Sequence, residues 1–362
     1  MQPEEISHIS SSEETAVDIQ GLQYILQEKD AEIAKLHELL SQATGEQCSA
    51  PMSYSKIKHD DSLVSHYTGL PDDKTFVCLL NFVHRFNIVF HSWSIISLSH
   101  EDQILLTLMK LRHNFTHTHL GFLFSITKAT VTNIVSAWID ILHSLLFSGI
   151  MTEIGIPSRA KASESLPDCF SSFPGVRLTL DCTEIQCSIP RTSMAQQSQT
   201  FSHYKQRNTF KGLVGVSPNG AVTFVSDLYP GSVSDKEIVL HSKVLLQFEP
   251  GDLILADKGF LLHDVMPQGV SVNIPPFLSR QQFTKPQVIE TTRIARARIH
   301  VERAIQHIKL YKILDFVPTY YRGKANKMFQ LCACLTNLQN PVIKDVDLNT
   351  QQRLHSSKDF TQ

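Results

Sequence analysis

Apolar residues recur along the start of the chain with a heptad step. Ile19, Leu26, Ile33 and Leu40 are each seven apart, and Leu22, Lys29 and Leu36 form the companion series. A seam that narrow runs along one side of a helix and is covered by another helix. Residues 16–43 therefore read as a coiled coil that pairs copies of the chain into a homo-oligomer. Gly21 weakens its first turn and Lys29 interrupts the seam. An amphipathic helix packed on its own domain would show the same spacing. Residues 1–15 are polar and Ser/Glu-rich and read as disordered. Residues 44–69 hold no sustained period and read as a linker.

From residue 70 the period becomes helical. Leu70-Pro71-Asp72-Asp73 opens a helix with acids at its positive end, and Phe76, Leu79, Leu80 and Val83 share one face. Residues 99–147 read as three helices: SHEDQILLTLMKLRHN with Ser99 as N-cap, a short THLGFLFS, and a longer one starting near Thr127 or Lys128. A short helix, a tight turn and a longer helix is the helix-turn-helix plan, in which the N-terminal part of the last helix enters the major groove. Lys128, Thr130 and Asn133 are the groove-facing candidates at that end. A trihelical scaffold that merely packs would give the same pattern. The helical domain spans 70–150, and 151–174 read as a second linker.

The period then switches to two. Val176–Asp181 alternates and ends in a carboxylate, and GLVGV and AVTFV flank Ser217-Pro218-Asn219-Gly220, a hairpin signal. Ser234-Asp235-Lys236-Glu237 caps a helix through about Leu246. Asp252–Asp257 is a short buried strand with a second terminal carboxylate, and Val270–Ile274 is a strand stopped by two prolines. A long helix covers roughly 287–311. This is an α/β domain over 175–340, followed by a tail, 341–362.

The 362 residues are 42% hydrophobic, which excludes a wholly disordered chain. No run of 18 apolar residues occurs, so no membrane span is expected, and the acidic, polar start does not resemble a secretory signal. The seven cysteines form no C-x-x-C pair, which disfavours a disulfide framework or zinc knuckle. The net charge of −2 hides an asymmetry. Residues 1–70 carry 12 acids against 4 Lys/Arg; the remainder carries 23 against 29, a mildly basic body that suits a polyanion.

Asp181 and Asp257 end apolar strands, and such ends lie side by side at the rim of an α/β sheet. Two acids crowded there need a cation, and a hard divalent ion is the natural one. Glu302 sits at the edge of the buried stripe Ile294, Ala297, Val301, Ile305, Ile308, with Arg298 one turn before it. From that edge it reaches the rim as a third ligand. Strand-end Asp residues as turn formers, and a helical Glu paired with a neighbouring Arg, account for the same spacing.

GVRLTLDCTEIQCSIP, YKQRNTFKGLVGVSPNG, GSVSDKE, GDLILADKGF and IARARIHVERAIQHIK, in this order, resemble the DDE-type transposases of the PIF/Harbinger group over about 70–340. The resemblance implies an RNase H-like mixed sheet flanked by helices, preceded by the helix-turn-helix segment. It also implies a triad of Asp181, Asp257 and Glu302. Two divalent ions, Mg²⁺ or Mn²⁺, about 4 Å apart, would there clamp the attacking and leaving oxygens of an in-line displacement. Water frees a 3′-hydroxyl, which then attacks target DNA. Cys182 stands where the family often has Gly. Many relatives carry an N-terminal zinc module for end recognition; this chain lacks its Cys/His set. DNA-end recognition is then lost, supplied by a partner protein, or encoded in a longer form.

Nine Lys/Arg lie between 291 and 327 against two acids, Glu302 and Asp315. Within that stretch Arg296, Arg298, Arg303 and Lys309 are candidate phosphate contacts, joined by Arg191, Lys205, Arg207 and Lys211 around a Gln/Ser-rich stretch. A solvated helix face is the plain alternative for such a run, and Arg298 and Arg303 also suit orienting Glu302. His113, His117 and His119 read as solvated loop histidines. The resemblance implies a metal-dependent nuclease of the nucleus with DNA as its partner. The rivals are a domesticated DNA-binding protein that no longer cuts, and a coiled-coil adaptor.

Overall fold

The computed structural model describes residues 50–86, 88, 98–164, 166–191, 193–257, 259–274 and 285–341, with positions 28, 29, 32, 35 and 36. The chain divides into two units, Met1–Ala50 and Pro51–Gln362. In the first, positions 28, 29, 32, 35 and 36 are helical, Leu36 is exposed, and Lys29 pairs with Glu32 at 2.6 Å. The rest of the heptad stretch, the N-terminal 15 residues and the tail from 342 lie outside the described residues.

Among the described residues the second unit opens with the helices α1 (Tyr54–Ile57), α2 (Asp61–Thr68), α3 (Asp73–Val83), α4 (His100–His113), α5 (His117–Phe124) and α6 (Lys128–Leu142). Most begin where the sequence supplies a cap. Asp60, Asp72, Ser99, Thr116 and Thr127 each accept a backbone N–H in the first turn that follows. The expected linker 44–69 thus folds in its second half. Its apolar residues are too sparse for a visible period, yet Ile57 and Val64 are buried against the other helices. Between α5 and α6, Ser125 takes the left-handed conformation and the Ile126 N–H bonds the Gly121 carbonyl at 2.9 Å. A Cβ on Gly121 would meet the Ile126 oxygen at 2.7 Å, so this tight turn requires glycine there.

Helix α6 runs on through a π-helical stretch, His143–Met151, to Ile154. Contrary to expectation, Lys128–Ile154 is long and apolar enough to cross a membrane by length and composition. Its apolar face, with Val131, Ile134, Val135, Trp138 and Ile139, is taken up by the core. The second expected linker is also partly structured. It holds α7 (Arg159–Ser163) and buries Phe170 and Phe173.

Among the described residues eight strands follow: β1 (Val176–Cys187), β2 (Phe201–Ser202), β3 (Arg207–Val216), β4 (Val222–Val225), β5 (Tyr229–Pro230), β6 (Leu253–Ala256), β7 (Ser271–Asn273) and β8 (Phe316–Val317). They form a mixed sheet ordered β2-β3-β1-β6-β7, with β4 and β5 on β3 and β8 on β1. β1 pairs antiparallel with β3 and parallel with β6. Helices α8 (Met194–Thr200), α9 (Asp235–His241), α10 (Lys285–Lys309) and α11 (Ala325–Thr336) complete the unit. The expected helix through Leu246 stops at His241. Lys243 turns left-handed and a 3₁₀ turn carries Val244–Gln247.

Alternate strand residues feed different cores, as period two demands. Leu178, Leu180 and Leu213 pack with α9, whereas Ile185, Cys187, Val214 and Val216 join α10 and α11. Gly212 lies where Phe329 of α11 presses on β3, and a Cβ there would overlap the ring. Gly212→Ala is expected to cost about 1–3 kcal/mol, read as a lowered urea midpoint at unchanged m-value.

Candidate functional site: a carboxylate cluster around Arg298

Asp181 is not at the end of its strand but in the middle of β1. The alternation continues beyond it through Thr183 and Ile185, which β3 pairs, to Cys187, which pairs with β8. What ends near Asp181 is the neighbour. The β1–β6 register runs Thr179↔Leu255 and Leu180↔Ala256, and the next residues in step are Asp181 and Asp257. The two acids therefore stand side by side where β6 leaves the sheet. By alternation, Asp181 lies on the face that packs α10, the helix that carries Glu302.

On α10 the expected stripe is buried: Ile294, Ala297, Val301, Ile305 and Ile308. Arg298 is buried too, and its guanidinium lies between the acids. Nη1 is 3.0 Å from Asp257 Oδ1, and Nη2 is 3.8 Å from Glu302 Oε1. Asp257 and Glu302 keep about half their side-chain surface, at 50% and 52%, so the cluster opens to solvent on that side. Asp181 accepts the Cys182 N–H at 2.8 Å. Burial pushes its carboxyl up to about 6. Arg298 and the Cys182 N–H pull it down, while the charges of Asp257 and Glu302 push it further up. The three acids thus share one field, balanced by one guanidinium.

Three carboxylates are in their chemistry the donors that a hard divalent ion takes. Among the described residues, however, no three His, Cys, Asp or Glu side chains lie close enough together to hold an ion. Arg298 instead pairs with two of the three acids.

Two acids at this rim escaped the reading of the sequence. Asp235 pairs with Lys211 at 3.1 Å and hydrogen-bonds the Cys182 thiol. Burial first, then the charges of Asp235 and Asp181, hold that thiol protonated. Glu184 accepts the Thr209 and Ser202 hydroxyls at 2.7 and 3.1 Å. The only signals were their places in GSVSDKE and DCTE, which spacing alone does not separate from a helix cap or a strand residue.

The basic candidates divide. Lys309 lies near Asp181 and Glu184; desolvation and Lys205 lower its pKa, and those two acids raise it. Lys205, Arg207, Lys309 and Glu184 line a cleft of about 260 Å³. Arg207 is exposed and donates to Gln186 at 3.0 Å. Arg191, Arg296 and Arg303 are exposed. Lys211 is committed to Asp235 and the Val233 carbonyl, so it is not a free phosphate contact. In the helix-turn-helix, Lys128 and Asn133 are exposed. Thr130 is half-buried, its N–H and hydroxyl bonded to the capping Thr127. The three histidines are not in a loop. His113 ends α4, and His117 and His119 lie on α5, where His117 bonds Thr132 and Tyr321 at 2.9 and 2.8 Å.

A helix-turn-helix ahead of a mixed sheet with a carboxylate rim has the layout of an endonuclease of the DNA-transposition class. Residues 97–148 match the family model described as helix-turn-helix of DDE superfamily endonuclease, and residues 180–337 match the one described as DDE superfamily endonuclease. Over these two spans the chain is similar to the DDE superfamily of transposase-derived endonucleases, and a PIF/Harbinger-like placement is consistent with the matches. It is similar to the Rattus norvegicus protein named "Putative nuclease HARBI1", 26% identical over 174 residues, which are 46% of this chain and 48% of that one. The chain spans about half the length of the curated relative it matches.

Proposed function

We propose that this protein cuts DNA phosphodiester bonds and transfers the freed 3′-hydroxyl ends to target DNA. It would do so in an RNase H-like domain where Asp181, Asp257 and Glu302 hold two Mg²⁺ or Mn²⁺ ions. The observation that carries this reading is the shared field of the three acids, drawn from two adjacent strands and one helix, inside the span of the endonuclease match. When bound, the ions supply charge stabilisation at the attacked phosphate and at the oxygens entering and leaving it.

The chain's own residues do the rest. Arg298 balances Asp257 and Glu302, keeping three acids in one place without unfolding the rim. Lys309, Lys205 and Arg207 line the adjoining cleft with positive charge, where a DNA backbone is attracted. Lys128 and Asn133, exposed at the start of α6, would meet the groove. Nuclear location follows from that substrate. A homo-oligomer through residues 16–43 and a separate DNA-recognition protein belong to the same reading.

A second reading, a DNA-binding protein that no longer cuts, is favoured by the insertion of Arg298 among the acids. Incubation of supercoiled plasmid with the full chain decides between them. Nicking is expected in Mg²⁺ and none in EDTA. Retained duplex binding without nicking in Mg²⁺ or Mn²⁺ overturns the endonuclease reading in favour of the second. Neither binding nor nicking leaves the coiled-coil adaptor.

A further inference from the structure

Away from the carboxylate cluster, a second cationic locus lies where the end of α4 meets the turn after α10. A cleft of about 580 Å³ there is lined by His66, Arg112, His113 and Lys312, with Asp61 on its acidic side. Arg112 is held from both sides. Its guanidinium carbon lies 5.6 Å from the centroid of the Tyr311 ring, and its chain packs on Gly69, the left-handed cap of α2. A Cβ on Gly69 would sit 3.1 Å from Arg112 Cδ, so that glycine leaves room for the arginine.

This arrangement has an unfilled valence. Arg112 Nη1 is buried and has no hydrogen-bond partner among the described residues. A buried guanidinium N–H without an acceptor is costly; Arg112 also lines the cleft, so an acceptor that enters there meets this arginine. The other groups do not supply one. His113 donates its Nε2–H to the His66 carbonyl at 2.7 Å. Asp61 accepts the Asp73 N–H at 2.9 Å. Lys312 is exposed, and its charge, with those of Arg112 and His66, adds to burial in lowering the pKa of His113. Like charges pressed together around an orphaned donor are a structure short of an anion. A packed guanidinium beside an exposed ammonium matches a phosphate, which takes the fork of one and the point charge of the other.

We propose that this cleft binds a backbone phosphate of duplex DNA, with Arg112 and Lys312 as the contacting residues. The inference rests on the DNA reading above and extends it to the far end of α10. Leu310, on the rim of the cleft, is eight residues beyond Glu302, about 12 Å along the helix axis. A duplex engaged at the carboxylate cluster therefore spans that distance within a few base pairs. The cleft would fix the register of the DNA without reading its sequence.

The test is the salt dependence of binding of the full chain to a fluorescent 30-base-pair duplex, compared between wild type, Lys312→Gln and Arg112→Gln. Each loss of one phosphate contact is expected to reduce the log–log salt slope by about 1, and to weaken binding several-fold near 150 mM salt. Lys312 is exposed, so its variant keeps the fold even if Arg112→Gln loosens the stack on Tyr311. Wild-type binding with an unchanged slope in Lys312→Gln overturns this inference alone. No duplex binding by wild type overturns it together with the DNA reading. A second arm titrates inorganic phosphate at constant ionic strength. A rise in wild-type Tm that Lys312→Gln abolishes, alongside unchanged DNA slopes, assigns the cleft to a free phosphate instead.

Discussion

Asp181→Asn is expected to abolish nicking and, in the same protein, to raise stability. The carboxylate is half-buried beside two other acids, so its charged form is disfavoured in the fold: its pKa stands at about 6 against an ordinary 3.8. For an acid shifted upward, the neutral form stabilises the fold. That contribution is complete below about pH 4 and is lost as pH rises through about 6. At pH 7 the ionised group therefore opposes folding, by roughly 1–3 kcal/mol. The amide variant removes that cost and keeps the shape. Denaturation of wild type without divalent ions should show stability falling between pH 4 and 7, with a shallower fall in the variant. Nicking should drop by at least about 10³-fold, on the order of 4 kcal/mol of transition-state stabilisation. Added Mg²⁺ should raise the Tm of wild type and leave that of the variant nearly unchanged. A variant that nicks at a wild-type rate would remove Asp181 from the proposed chemistry. A variant less stable than wild type at pH 7 would contradict the electrostatic account of the rim.

Much of this rim could be read from the chain because it is built on strong periodicities. The stripe on α10 fixes which side of that helix is buried, and it sets Glu302 at the edge of the stripe. The apolar run before Asp257 marks β6, whose parallel register with β1 brings Asp181 alongside. Where the sequence misleads, the cause is local. β1 continues past Asp181 because its partner β3 is long, and no residue near 181 records the length of a strand some 30 positions away. Helices α1 and α2 escape a periodicity argument because each is short and buries only two residues. The central role of Arg298 is a matter of three dimensions. Its neighbours in sequence pair it with Glu302, but the shorter contact is to Asp257, on another element.

The position of Asp257 depends in turn on a buried ion network at the opposite end of β6, and breaking it is expected to have the largest effect on stability. Asp252 is 1% exposed. One of its oxygens takes Arg177 Nη1 at 2.5 Å and the Glu249 N–H at 2.8 Å; the other takes Arg159 at 2.9 Å. Arg177 also donates to the carbonyls of Pro157, Gln247 and Ile156, and Arg159 to that of Pro250. One aspartate thereby ties the segment before α7, β1 and the entry to β6 into a single knot. Burial alone would raise the Asp252 pKa, but the Glu249 N–H and the two guanidiniums overcome it and hold the carboxyl below its ordinary value. Its contribution is therefore present above the unfolded pKa and fades as pH falls through the folded one. Asp252→Ala leaves Arg177 charged and buried without its partner, which is expected to cost about 3–5 kcal/mol and lower Tm by roughly 10 °C. Arg159→Ala should cost far less, because that side chain keeps 45% of its surface and its charge stays hydrated. If the two variants melt together near wild type, the knot is not what seats β6. If Asp252→Ala instead loses Mg²⁺-induced stabilisation at temperatures where it is still folded, the two ends of the strand are coupled, and the metal-binding geometry at Asp257 is set from its far end.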